Sequence, residues 1–216
     1  MDIAIIGAGN VGRSLATAFV RAGHTVAITS HDPDDAGAVA AATGATFSAS
    51  NRDAASVASV VVLAVPFSSA ADIATEIGEV VSGKVVIDAT NRMSFGADGP
   101  DIDTGSSNAE ELAALLPEAR VVKAFNTLFA SHQADPIAEG VQLDGYVAAD
   151  DDAARAVVLE LVESIGLTPV AVGPLVRARQ LEGLAFLNIS LNIANGGSWQ
   201  SGWKLVGAPV ALADAA

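Results

Sequence analysis

The 216-residue sequence contains no cysteine. Disulfides, thiolate catalysis and cysteine–zinc sites are therefore excluded. Its three histidines, His24, His31 and His132, are scattered without metal-ligand spacing, so no closed metal site can be written. Basic residues are also scarce: 11 lysines and arginines stand against 25 acids, a formal net charge of −14 at pH 7. A surface of that sign repels nucleic acid and anionic membrane. Each basic residue near an anionic ligand gains weight accordingly. Long apolar runs are missing, although 51% of the residues are hydrophobic. The apolar stretches run about four to six residues, against the roughly 20 needed to span a bilayer. Met1-Asp2 carries no basic region, and Gly7 and Gly9 interrupt the first apolar run, unlike a signal peptide. A cytoplasmic location is expected.

What is present is an alternation of short β-branched runs with alanine-rich stretches. Strands are predicted over Asp2–Ile6, Thr25–Thr29, Val60–Ala64, Lys84–Asp88 and Val121–Ala124. Helices are predicted over Val11–Ala22, from Asp32-Pro33 to about Ala42, within Ala70–Val81 and near Ala109–Leu116. Buried parallel strands joined by helices imply a Rossmann-like, doubly wound α/β sheet. The second half continues with a strand at Gly145–Ala149, a helix capped by Asp152 and running to about Ile165, and a strand at Thr168–Val172. A long helix follows from Leu175 to Ala194. Residues 1–127 are expected to form the dinucleotide-binding domain, and 128–216 a small helical lobe closing the acceptor cleft. The loop Phe95–Ser107 is the expected mobile segment.

Gly7-Ala8-Gly9-Asn10-Val11-Gly12 is a G-x-G-x-x-G pattern that follows a strand and opens a helix. Gly7 permits the tight turn, Gly9 lets the backbone approach a pyrophosphate, and Gly12 lets helix and strand pack closely. Unpaired N–H groups at the helix start suit the phosphates. The end of the second strand reports on the adenosine ribose. A cofactor lacking a 2′-phosphate usually meets an acid there, whereas this chain has Ser30 and His31. That favours NADP(H), with Asp32 read as a helix cap. Ala64, Val65 and Pro66 end another strand at the cleft, and Phe67 can wall a ring pocket. Asp88-Ala89-Thr90-Asn91-Arg92 and Lys123-Ala124-Phe125-Asn126-Thr127 end the next two strands and bring polar groups to the same rim. Asn126 can orient a nicotinamide carboxamide or a substrate carbonyl. No nucleophilic triad or paired-carboxylate motif is evident. Hydride transfer needs little of either, since positioning in a water-excluding slot suffices.

Three stretches together are distinctive: Ile6 to Gly12, Val122-Lys123-Ala124-Phe125-Asn126-Thr127, and Gly173-Pro174-Leu175 through Ala178-Arg179-Gln180-Leu181-Glu182. Gly202-Trp203-Lys204-Leu205 adds a fourth. The set resembles the coenzyme F420-dependent NADP reductase family, which also supplies the reductase domain of the six-transmembrane metalloreductases. The resemblance implies NADP(H) on the glycine loop and the deazaflavin F420 stacked on its nicotinamide. It also implies a homodimer with a hydride passing between the rings. Carried over by position, Gly7, Gly9, Asn10, Val11 and Gly12 hold the pyrophosphate, and Ser30 and His31 the 2′-phosphate. Asn126, Thr127 and Arg179 face the ring pocket. Two positions depart from the pattern. The family often has Ser-Arg where this chain has Ser30-His31. Archaeal deazaflavin reductases carry histidine at the position of Asn126, which places this chain in a broader branch. Other readings at this level are a reductase of free flavin or of a small carbonyl or imine, and a non-catalytic dinucleotide-sensing module.

Overall fold

A computed structural model describes residues 1–96, 99–102 and 105–207 of the chain. In chain order the elements are β1 (Asp2–Ile6), α1 (Asn10–Arg21), β2 (Thr25–Thr29), α2 (Pro33–Thr43), β3 (Thr46–Phe47), α3 (Asn51–Val57), β4 (Val60–Leu63), α4 (Phe67–Ile77) and β5 (Val85–Asp88). Next come β6 (Met93–Gly96), β7 (Gly99–Ile102), α5 (Asn108–Leu115), β8 (Arg120–Lys123), α6 (Ala130–Ala134), β9 (Ile137–Ala138) and β10 (Val141–Gln142). The chain then forms β11 (Asp144–Ala149), α7 (Asp152–Ser164), β12 (Thr168–Gly173) and α8 (Ala178–Ala194).

The main sheet has the order β12-β11-β8-β5-β4-β1-β2-β3. Its six strands from β3 to β8 are parallel, and they reverse direction of winding at β1 and β4, as a doubly wound nucleotide-binding sheet does. The sheet continues past residue 127. Strand β11 pairs antiparallel with β8, and β12 runs parallel to β11.

The strands are apolar on both faces because both faces are covered. Ile3, Ile5, Val26, Ile28, Val60, Val62 and Ile87 point to one side, where α1, α2 and α7 pack with Leu15, Phe19, Val39, Val158 and Leu161. Ala4, Ile6, Val61, Leu63, Val86 and Val121 point to the other, against α3, α4 and α5. This two-sided burial is why the strands read as continuous apolar runs rather than alternating ones.

Local signals set the helix ends. Asp32 caps α2 by accepting from the Asp34 N–H at 3.0 Å, with Pro33 at the first helical position. Gly23 (φ 85°) follows α1 in the left-handed conformation a helix stop requires. Several expected boundaries move. Helix α1 begins one residue early, at Asn10, and α4 begins at Phe67 because Pro66 serves as its N-cap. The cap of α7 is Asp151, whose carboxylate accepts from the Ala154 N–H at 2.7 Å, and not Asp152. The long C-terminal helix is broken: a 3-10 turn over Leu175–Arg177 precedes α8. Within Phe95–Ser107, strand β7 pairs with β6 as a hairpin; residues 97, 98, 103 and 104 of that stretch, and 208–216 of the tail, lie outside the described residues.

Candidate functional site

The glycine loop lies between β1 and α1, at the carboxyl edge of the sheet. Two of its glycines answer to the protein's own packing. Gly7 has φ 114°, and a Cβ there would strike the Ala64 carbonyl and crowd Val65. A Cβ on Gly12 would strike the Gly7 carbonyl. Gly9 is different: nothing lies within 4 Å of where its Cβ would stand, and its φ of −69° is open to any residue. Protein packing leaves Gly9 unexplained; a ligand backbone passing over it explains it. Gly9 caps α1 with no side-chain hydrogen bond, and the first turn carries no acid. The leading N–H groups of a 12-residue helix are thus presented to the cleft with their partial positive charge uncancelled. The residues fit a dinucleotide pyrophosphate.

Asn10 is exposed beside this loop, while Val11 is half-buried. The Gly7 contact shows that Ala64 and Val65 lie directly over the loop; Pro66 is exposed and Phe67 half-buried at the start of α4. At the end of β2, Ser30 Oγ accepts from the Asp32 N–H at 3.4 Å, and the His31 side chain is exposed. Asp32 is turned to its capping role.

Asn126 owes its position to a strained backbone. Phe125 has φ 64°, a left-handed conformation costly for a bulky residue, and its ring is locked against Phe19 at 5.7 Å. The turn places the Asn126 amide over the ends of β5 and β8. Its Nδ2 donates to Asn91 Oδ1 at 2.8 Å and to the Leu181 carbonyl at 3.0 Å. Its Oδ1 is a buried acceptor with no donor. An unpaired buried oxygen costs about 1–3 kcal/mol, and an amide N–H is the group that would satisfy it. Thr127 is buried next to it.

Arg179 sits in the first turn of α8. Its Nε and Nη2 donate to the two carboxylate oxygens of Glu110 at 2.8 and 2.7 Å. Glu110 also completes the capping box of α5 with Ser107. The Arg179 hydrogen bonds hold the Glu110 carboxyl below its usual range, and the guanidinium is raised in turn. The structure therefore does not bring Arg179 to the amide pair as an open cation. It brings there a group that the sequence reading passed over.

That group is a buried charge cluster. Lys123 ends β8 and Asp88 ends β5, paired in register on adjacent parallel strands. Lys123 Nζ donates to Asp88 Oδ2 at 2.8 Å, to the Thr90 carbonyl at 2.6 Å and to Glu182 Oε1 at 2.7 Å. All three charged side chains are at most 1% exposed. Asp88 Oδ1 accepts from the Thr90 N–H and from Asn108 Nδ2. Glu182 accepts from the backbone N–H groups of Asn108 and Arg92. Burial pushes the Glu182 carboxyl up, and Lys123 pulls against it. The available sign was a charge closing each of two otherwise apolar strands, Val85-Val86-Ile87-Asp88 and Val121-Val122-Lys123.

A groove runs from the glycine loop between α1 and α6. It is lined by Asn10, Arg13, Thr17, Phe129, Ser131 and Trp199. Phe129 and Trp199 meet edge to face at 5.3 Å, and Trp199 has φ 59°. Among the described residues Arg13 has no ion-pair partner, whereas Arg92 and Arg179 are paired with Glu111 and Glu110.

A parallel sheet with a glycine loop at its first strand-to-helix turn, a buried amide at the ends of β5 and β8 and an adjoining groove fit a dinucleotide-dependent oxidoreductase of Rossmann type. The comparisons with known proteins narrow that class. Residues 2–92 match the family described as NADP oxidoreductase, coenzyme F420-dependent. The F420-dependent NADP reductase of Methanothermobacter thermautotrophicus is 37% identical over 216 aligned residues, covering 90% of each chain. A solved structure from Arthrobacter sp. FB24, described as a candidate F420-dependent NADP reductase, superposes with a TM-score of 0.86 at 31% identity, covering 95% of this chain and 99% of its own. The rat metalloreductase STEAP3 is 32% identical, but this chain spans only 36% of its length. The chain belongs to the F420-dependent NADP reductase family. Among the described residues, no helix is long and apolar enough to cross a membrane.

Proposed function

We propose that the protein transfers hydride between NADP(H) and the deazaflavin coenzyme F420. The observation that carries this reading is the open space at Gly9, at the start of a helix free of acids, in a chain 37% identical to an F420-dependent NADP reductase. Gly7, Gly9, Asn10, Val11 and Gly12 hold the pyrophosphate, and Ala64, Val65 and Pro66 bound it from the next strand. Ser30 and His31 take the 2′-phosphate. The nicotinamide supplies the hydride chemistry when bound. The chain's own task is to orient the ring, for which Asn126 Oδ1 offers an acceptor to a carboxamide N–H. Phe67 and Thr127 bound the ring slot. With Arg179 occupied by Glu110, the cation left for the acidic tail of the acceptor is Arg13 in the α1–α6 groove. Arg179 instead ties α8 to α5 and so holds residues 178–182 against the rim.

A homodimer and a cytoplasmic location belong to the same proposal, since both co-substrates are soluble coenzymes. Helix α8 supports the dimer: Leu187 and Leu191 are about half exposed on one face. The test is spectroscopic. Protein mixed with NADPH and F420 should bleach the deazaflavin absorbance with matching NADPH oxidation, and far faster than with free flavin. No bleaching of either acceptor would overturn the enzyme reading in favour of a sensing module.

A further inference from the structure

We infer that the buried Asp88–Lys123–Glu182 cluster carries a net charge of −1 beneath the nicotinamide side of the cleft and biases the protein toward the oxidised, cationic nicotinamide. The inference rests on the hydride-transfer reading above and names the direction in which this site favours the reaction.

The protonation states follow from the hydrogen bonds. Lys123 Nζ has three protons and three acceptors: Asp88 Oδ2, the Thr90 carbonyl and Glu182 Oε1. A neutral amine would turn a lone pair onto one of them, so the group is an ammonium. Every carboxylate oxygen is met by a donor. Asp88 Oδ2 has Lys123, and Oδ1 has the Thr90 N–H at 2.9 Å and Asn108 Nδ2 at 3.3 Å. Glu182 Oε1 has Lys123 and the Asn108 N–H at 3.0 Å, and Oε2 has the Arg92 N–H at 3.3 Å. The Lys123 ammonium and the Asn108 and Arg92 N–H groups favour the ionised form of Glu182 against the push of burial, as Lys123, the Thr90 N–H and Asn108 do for Asp88. Both acids are ionised against one ammonium, and one negative charge is left over. The nearest cations, Arg92 and Arg179, are each engaged by a carboxylate of their own, Glu111 and Glu110.

The location gives the charge its effect. Asp88 and Lys123 close β5 and β8, on the half of the sheet beyond the β1–β4 reversal. The pyrophosphate site is at β1 and the ribose-reading residues follow β2, so the nicotinamide half of a dinucleotide extends over β4, β5 and β8. Next to the cluster is the amide pair Asn91–Asn126: Asn91 follows Thr90, and Asn126 donates to the carbonyl of Leu181, the neighbour of Glu182. A neutral dihydronicotinamide that gives up a hydride, the hydrogen with both bonding electrons, leaves a cationic ring behind. The hydride goes to the deazaflavin, which takes one proton from solvent. A fixed, buried −1 close to the ring stabilises the cation and leaves the neutral form nearly untouched, because low-dielectric surroundings screen the attraction poorly. The protein is thereby biased toward oxidising NADPH.

Binding of the two nicotinamide forms, measured separately by calorimetry without any acceptor, tests this. The wild-type protein should bind NADP+ more tightly than NADPH. Glu182→Gln, which keeps the shape and removes the charge, should weaken NADP+ relative to NADPH by about tenfold. Asp88→Asn removes the same charge from another element and should shift the ratio in the same direction. Melting curves identify a variant that has lost its fold. Wild-type protein that binds NADPH as tightly as NADP+ would overturn the proposal even if both variants unfold. Folded variants with an unchanged ratio would do so as well. If neither nicotinamide form binds the wild type, the hydride-transfer reading itself falls.

Discussion

At the residue scale, the three loop glycines look alike in sequence, but only at Gly9 would a Cβ meet no protein atom. Gly9→Val should abolish NADPH binding in titration calorimetry while moving the melting temperature little, since a Cβ there meets no protein atom within 4 Å. Variants of Gly7 or Gly12 should lose the fold as well. Binding by Gly9→Val equal to wild type would remove the loop from the phosphate site. His31 lies at the strand end where an acid would read an unphosphorylated ribose. His31→Ala should weaken NADPH about tenfold, ~1.4 kcal/mol, and leave NADH unchanged. Equal losses for both would refute its role. Lys123 is the costliest side chain to remove. Lys123→Met leaves two carboxylates buried without their cation, and breaking a buried pair this way costs about 3–5 kcal/mol. Urea unfolding reads that directly, and a loss under ~1 kcal/mol would mean the acids are not held ionised by Lys123. The motif positions were legible because glycine and strand-end residues have local reasons to be where they are. Lys123 and Glu182 are 59 residues apart, and no local rule joins them.

At the element scale, α1 presents its N-terminus to the cleft, whereas α8 presents its side. The leucines of α8 divide between two environments: Leu181 is buried, Leu184 is partly so, and Leu187 and Leu191 are exposed. The buried face is built from Ala178, Leu181, Glu182, Ala185, Asn188 and Asn192. A residue as polar as Glu182 sits on that face only because Lys123 and two backbone N–H groups wait beneath it. The α5–α8 contact depends on Glu110 and Arg179, and its pH dependence has a definite sign. The Glu110 carboxyl is depressed by the Arg179 hydrogen bonds, so its contribution is complete above the unfolded value and lost as pH falls through the lower folded one. Wild type should therefore lose more of its urea midpoint than Arg179→Ala between about pH 5 and pH 3. Parallel curves would show the pair to be indifferent to folding.

At the scale of the whole molecule, the proposed dimer has a simple signature. Light scattering at micromolar concentration should return twice the 21.6 kDa chain mass, and Leu187→Glu with Leu191→Glu should return the single value. A wild-type mass near 21.6 kDa would exclude the α8 interface. The C-terminal segment is fastened across the fold rather than left free. Lys204 Nζ donates to Asp144 Oδ1 at 2.6 Å, and the Leu205 N–H donates to Oδ2 at 2.6 Å. Tyr146 shares that carboxylate, and burial together with Asp144 pushes its hydroxyl up to about 12. Gly202-Trp203-Lys204-Leu205 was legible as a motif but not as a clamp. The sequence by itself determined the parallel sheet, the glycine loop and the Asp32 cap of α2, because hydrophobic period, glycine geometry and side-chain-to-backbone bonds all act within a few residues. Only the tertiary structure decided that Arg179 is held by Glu110, that Asn126 Oδ1 is left without a donor, and that Asp88, Lys123 and Glu182 meet. Each of these depends on which polar groups from chain segments far apart in sequence the packing brings, or fails to bring, within about 3 Å.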